Sequence, residues 1–262
     1  MKHLAWVGAC LMVFAAPLVA DGPAVQSLDF HNVHIRVPDP AKSGEWYVKN
    51  LGATAGRAPQ LIYFGKTLIE FVKTDNPQPS VGSVIDHIGL SYADLSSKMK
   101  DFEAAGVKIV TPLRDAQGLF KLGFIEDPWG TKIEVVEDSE ALGFHHVHLR
   151  VPDPAATLKW YSDMFGGQQA KLKGRIDGLR YGSVWLLAAN SGKDTVVPSG
   201  DRAVMNVAWL VRNVDDAVTV LKSKGVKTVV EPRSIGSVRY AFLEDPNGVR
   251  IELIHQQQQP QQ

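Results

Sequence analysis

The chain has 262 residues in which 28 basic side chains balance 28 acidic ones, a length that suits two compact domains. That balance leaves no basic stripe for nucleic acid and no polybasic patch for a membrane surface. A hydrophobic share of 45% excludes a fibrous or wholly disordered chain, and small neutral or anionic molecules remain as partners.

The first segment reads as a targeting signal. Lys2 precedes the apolar run LAWVGACLMVFAAPLVA, which ends in small residues near Ala20. It has the length and flanks of a secretory signal and is short for a membrane span. We expect residues 1–24 to be this signal, cleaved after Ala20 or Ala24, and the protein to be secreted or periplasmic without stable membrane association. Cleavage also removes Cys10, the only cysteine, so a bound metal has to be held by nitrogen and oxygen. At the other end, the glutamine-rich residues 257–262 are expected to be disordered.

From residue 28 onward the chain repeats itself. FHNVHIRVPDP (30–40) returns as FHHVHLRVPDP (144–154), and EDPWGTKIEVVE (126–137) returns as EDPNGVRIELIH (244–255). Two copies result, at 28–138 and 142–256. A weaker echo, HIGLSYADLSSKMKDFEAAGV at 87–107, makes each copy two half-modules. In each, an alternating strand leads to a helix capped by Asp39, Asp94, Asp153 or Asp215, with Pro40 and Pro154 in a first turn that tolerates them. Leu95, Met99 and Phe102 mark one buried helix face, and Trp160, Tyr161, Met164 and Phe165 another. Glycines 52, 106, 166 and 225 end the helices, and three shorter strands follow. In each second half-module, DPWG or DPNG joins the last two strands. The predicted order is βαβββ, four times over, which is an α+β fold.

Residues two apart in a strand share a face. His146, His148 and Arg150 therefore look one way, as do Asn32, His34 and Arg36 in the first copy. His87 shares its face with Gly89 and Ser91, and its counterpart in the second copy is Asn206. By the same alternation His31 and His145 fall on the helix side and read as structural. The last strands bring Glu134 and Glu252, acids among aliphatic residues that are costly to bury unless paired or bound to a cation.

This combination of βαβββ order, histidine in the first strands and IE after DPxG resembles the vicinal oxygen chelate superfamily. That superfamily includes glyoxalase I, extradiol dioxygenases and the fosfomycin and bleomycin resistance proteins. The resemblance covers nearly all of the chain after residue 28. It implies two glyoxalase-like, cup-shaped mixed-sheet domains, with one divalent metal ion (Zn, Mn, Ni or Fe) held between first and last strands. Carried over by position, it implies the candidates Asn32, Glu70, His87 and Glu134 in the first copy, and His146, Leu186, Asn206 and Glu252 in the second. If each copy closes on itself, the first cup holds its four candidates and the second offers only His146 and Glu252. If half-modules pair across copies, one cup collects His87, Glu134 and His146, and the other keeps Asn32, Glu70, Asn206 and Glu252. His87 and Glu134 belong to the metal set in either case, whereas His146 joins through the exchanged pairing.

The extradiol signature has a tyrosine before the last turn, where this chain has Phe124 and Phe242, which argues against ring cleavage. FIEDPWGTKIEVVE looks more like glyoxalase I, whose metal polarises vicinal oxygens while a glutamate moves a proton. Glu134 as ligand with Glu70 or Glu252 as base could imitate it. His34, Arg36, His148 and Arg150 on the concave face suit an oxygen-rich or anionic substrate. Export argues against the glutathione adduct that glyoxalase I itself uses. The expectation is an exported metal-dependent lyase or isomerase acting on a small molecule, as a monomer or homodimer. A metal-free sequestering protein of the bleomycin-resistance type is the alternative, and a dioxygenase comes third.

Overall fold

The structure is a computed structural model that describes residues 22–256; the apolar run of the expected signal and the tail 257–262 lie outside them. Among the described residues, no helix is long and apolar enough to cross a membrane. The four half-modules follow in order. The first is β1 (Asp29–Val37), α1 (Pro40–Leu51), β2 (Thr54–Ala55), β3 (Leu61–Phe64) and β4 (Thr67–Lys73). The second is β5 (Ile85–Ser91), α2 (Leu95–Ala104), β6 (Lys108–Asp115), β7 (Lys121–Glu126) and β8 (Lys132–Val136). The third is β9 (Gly143–Val151), α3 (Pro154–Phe165), β10 (Gln168–Leu172), β11 (Ile176–Tyr181) and β12 (Val184–Asn190). The fourth is β13 (Val204–Leu210), α4 (Val214–Ser223), β14 (Lys227–Ile235), β15 (Val238–Glu244) and β16 (Arg250–Gln256).

The caps form as the residue types demand. Asp39, Asp94 and Asp153 each accept from a backbone N–H in the first helical turn. At α4 the cap is Asn213, not Asp215: the Asn213 side chain accepts from the N–H groups of Asp215 and Asp216, so the aspartates sit within the first turn, where they complement the helix dipole.

Within every half-module the helix is a crossover, so the first strand pairs in parallel with the last: β1 with β4, β5 with β8, β9 with β12, β13 with β16. The half-modules then join across the copies. β1 pairs antiparallel with β13, and β5 with β9, giving two eight-stranded sheets in the orders β14-β15-β16-β13-β1-β4-β3-β2 and β10-β11-β12-β9-β5-β8-β7-β6. Of the two pairings open to the sequence, the exchanged one forms. The connections that cross between the sheets run beside one another, with Val84 N–H donating to Val197 O (2.9 Å) and Ala203 N–H to Gln78 O (2.7 Å).

One apolar core spans both sheets, with Phe30 stacked on Phe144 at 5.7 Å and Phe165 on Trp209 at 4.9 Å. The two halves of each copy stay linked through the DPxG turns. Asp127 accepts from the N–H groups of Trp129 and Thr131 and from the Tyr47 hydroxyl of α1 (2.7 Å). Asp245 repeats this with Asn247, Val249 and Tyr161 (3.0 Å). The conspicuous motif is thus a buried clasp between a turn and the helix of its sister half-module.

Candidate metal centre

The middle of the second sheet runs β9-β5-β8, and its register sets His146 opposite Gly89 on one side and Glu134 opposite Gly89 on the other. His87 lies on the same face of β5, two residues earlier. The missing side chain at Gly89 makes the meeting possible, because a Cβ there would overlap the His146 ring. The backbone of Gly89 is ordinary strand, so space alone requires glycine.

The three side chains converge on one carboxylate oxygen. Nε2 of His87 is 3.1 Å, and Nε2 of His146 3.2 Å, from Oε2 of Glu134. With a nitrogen of His148 included, the four potential donor atoms lie within 4.8 Å of one another. His87, Glu134 and His146 are buried, and Phe124 packs edge-on against His87. The Nε2 of His146 is buried and makes no hydrogen bond of good geometry, although Oε2 of Glu134 stands 3.2 Å away, so its lone pair is open to a cation between them. Two imidazoles and a carboxylate on a rigid sheet are a fitting donor set for zinc or another first-row divalent ion, with coordination positions left for substrate.

The electrostatics suit ligation at His146, His148 and Glu134, whereas His87 has a proton to give up before it can bind an ion. Burial works against a charged His87, but the carboxylates of Asp86 and Glu134 outweigh it and raise its pKa. Burial pushes His146 down to about 4 and leaves it neutral, as a ligand has to be. Burial, helped by the neighbouring His87 and His146, also takes His148 well below its ordinary value. Glu134 would be raised by burial, yet the imidazoles of His146 and His87 hold it well below the usual carboxylate range.

Both histidines are backed by residues that strand alternation did not reveal. The β5–β9 ladder slips twice, and the extra residue is Asp86 on β5 and His145 on β9. A bulge turns its extra residue out of alternation. Asp86 consequently accepts from Nδ1 of His87 (2.7 Å) and is held by Lys132 (2.7 Å). His145 does not look toward the helices; its Nδ1 lies 2.8 Å from Nδ1 of His146. Neither partner could be found by counting faces, although each directly precedes a candidate ligand in the sequence.

The other site candidates divide between the sheets. His148 stands at the edge of the metal group, but Arg150 is committed to Asp194 (2.8 Å) and the Ser191 carbonyl (3.2 Å). Glu70, His34 and Arg36 lie in the other sheet and do not meet Glu134, because their half-module pairs with the fourth one. Arg36 donates to Gly200 O at 2.8 Å. The register also corrects one carried-over position: His34 faces Glu70 as His148 faces Leu187, so the counterpart of Glu70 is Leu187 and not Leu186.

In that second cup the carboxylate has found other donors. Asn32 and Asn206 stand where the first cup has His146 and His87, and their amide groups donate to Oε2 of Glu252 at 3.1 and 3.3 Å. His34 lies 3.4 Å from the same oxygen and 3.5 Å from Glu70. Amide N–H groups occupy the place a cation would take, so the loss of the histidines is compensated within the site.

The sequence model of the Glyoxalase/Bleomycin resistance protein/Dioxygenase superfamily matches residues 29–135 and 143–253. Among solved structures, glyoxalase I from Zea mays is 20% identical with a TM-score of 0.72, over 88% of this chain and 92% of that one. A candidate dioxygenase from Bacillus subtilis is 16% identical with a TM-score of 0.66, over 88% of this chain and 86% of that one. At such identities both likenesses speak for the fold alone. No curated protein matches the sequence. With both copies matched and the cup architecture formed, the chain belongs to the glyoxalase/bleomycin resistance protein/dioxygenase superfamily.

Proposed function

We propose that the protein is a divalent-metal-dependent enzyme of glyoxalase-like lyase or isomerase type, acting on a small molecule with adjacent oxygens. The observation that carries this is the convergence of His87, His146 and Glu134, with Nε2 of His146 buried 3.2 Å from Oε2 of Glu134 and making no hydrogen bond. A divalent ion held by these three side chains would polarise a carbonyl or hydroxyl of the substrate as a Lewis acid. Proton movement at this cup would fall to Glu134 and His148, since Glu70 and Glu252 belong to the other one. His148 is neutral and its Nδ1 has no partner, which suits it to hold a substrate hydroxyl. Lys132 and Asp86 keep the His87 ring fixed during that event. We further propose export, on the strength of residues 1–24, which disfavours glutathione adducts as substrates.

A second reading has one observation of its own. A protonated His87 between Asp86 and Glu134 is a self-consistent ion pair without any metal, which suits a sequestering module. Metal analysis of the purified protein separates the two. After chelation and loading with Zn²⁺, Mn²⁺, Ni²⁺ or Fe²⁺, we expect about one ion per chain, lost in His87→Ala. Absence of any bound ion, with small-molecule binding indifferent to chelator, would establish the sequestering reading instead.

A further inference from the structure

We propose that His145 and Asp138, neither of them a ligand, are the positioning residues that set the tautomer and orientation of His146 at the metal centre, with Lys173 anchoring the pair. This rests on the reading that His87, Glu134 and His146 hold a divalent ion.

The two Nδ1 atoms of His145 and His146 are 2.8 Å apart and can share only one proton. A ligand that offers its Nε2 lone pair keeps its proton on Nδ1. His146 must then donate to His145, whose own proton is left on Nε2. That proton has a receiver, because Nε2 of His145 lies 3.3 Å from Oδ2 of Asp138. Every group from Asp138 to the vacant lone pair of His146 thus has its role decided by its neighbour. The reverse assignment, with His145 donating to His146, would set the Nε2 lone pair of His145 against the Asp138 carboxylate and put the His146 proton on Nε2, the atom that has to ligate.

Asp138 is built to hold this role. It is buried, and its Oδ1 accepts from Lys173 (2.8 Å) and from the N–H of Glu140 (3.0 Å), which leaves Oδ2 for the imidazole. Its own N–H and carbonyl are both bonded to the Ser91 hydroxyl, at 3.0 and 2.8 Å. Lys173 is the only non-glycine residue among those described with a left-handed backbone, at φ 48. A side-chained residue avoids that conformation unless its surroundings require it. Here the strained turn delivers the ammonium to Asp138 and Glu140. His145 itself is fully buried against Phe120. The arm mirrors Lys132–Asp86–His87 on the opposite side of the centre, with one extra imidazole inserted.

Cobalt(II) tests the assignment, since its visible absorption reports both occupancy and ligand geometry. Titrations would compare the full chain with His145→Phe, His145→Gln, Asp138→Ala and His146→Ala. Loss of the hydrogen bond that holds a ligand's far nitrogen weakens metal binding about 10- to 100-fold, and we expect that for His145→Phe and Asp138→Ala, with an altered spectrum. Glutamine retains an acceptor for the His146 proton, so His145→Gln should recover most of the affinity, which a mere packing role would not allow. Melting of each metal-free variant shows whether it is folded; if His145→Phe is not, Asp138→Ala carries the test. Wild-type affinity in both His145→Phe and Asp138→Ala, with binding lost in His146→Ala, would overturn the positioning role and leave the metal reading standing. No cobalt binding by the wild type would overturn the metal reading and this inference with it.

Discussion

Gly89 and His146 face each other across β5 and β9, and the imidazole fills the space that a side chain at residue 89 would need. The bulkier residue of the pair can reach Glu134 only because the smaller one is empty. Gly89→Ala should therefore displace His146 and weaken metal binding more than it disturbs the fold. Overpacking of one methyl in a buried sheet costs about 1–3 kcal/mol. A melting curve and a metal titration on the same sample check both parts; unaltered metal affinity would mean that the ring does not need this gap.

The same relationship explains why the second cup cannot be repaired simply. Ala208 pairs with Glu252 as Gly89 pairs with Glu134, so the methyl absent from the first cup is present in the second. Asn32 is short enough to lie beside it, whereas a histidine would not be. Asn32→His with Asn206→His should leave the metal count where it is, and adding Ala208→Gly should raise it by one ion per chain. Atomic absorption on dialysed protein gives the answer. A second ion in the double variant would show that Ala208 is no obstacle.

The half-module grammar and the facing of His87, Glu134 and His146 were readable because they depend on local pattern: period-two alternation, Asx caps and a proline-glycine turn. What was not readable depends on contacts between distant strands. Nothing local decides whether β5 pairs with β9 or with β1, and that choice separates Glu70 from Glu134. Bulges are equally silent, so His145 falls on the wrong face when counted by alternation and Asp86 goes unmarked. The one-residue slip from Leu187 to Leu186 has the same origin, since a register is set by the partner strand and not by the strand itself.

The exchanged pairing separates two substitutions that the alternative pairing would join. His146→Ala removes a donor from the metal group, and its loss should weaken metal binding by more than the about 10- to 100-fold that loss of a supporting hydrogen bond costs, since a three-ligand centre falls to two. Glu70→Gln acts in the other sheet and should leave metal affinity unchanged. Isothermal titration of each variant with Zn²⁺ is sufficient. Equal loss in both would mean that Glu70 reaches the metal in solution.

The second cup should show its charge in the difference between the pH profiles of variant and parent, where the contribution of His87, also raised, cancels. Burial opposes a charged His34, but Glu252 and then Glu70 outweigh it and raise its pKa above the ordinary histidine value. The nearby His31 shifts the other way, lowered chiefly by its own burial, so it is neutral where His34 is charged. Glu70 is lowered, by its contact with His34, whereas burial raises Glu252. For His34 the sign follows from linkage: a raised folded pKa contributes stability that is complete below the unfolded value of about 6.5 and fades as pH climbs through the folded one. Glu252→Gln removes the larger favourable charge, so the His34 pKa should fall and this alkaline loss of stability should shrink. The amide oxygen can still accept from Asn32 and Asn206 but lacks the charge that strengthens both bonds and the ion pair with His34, which makes the variant less stable at pH 6 than the parent. Imidazole NMR titration together with denaturant melts at pH 6 and pH 8.5 measures both effects. A His34 pKa that stays put in Glu252→Gln would show that the buried carboxylate is not what holds the ring charged, and would leave Glu70 alone to do so.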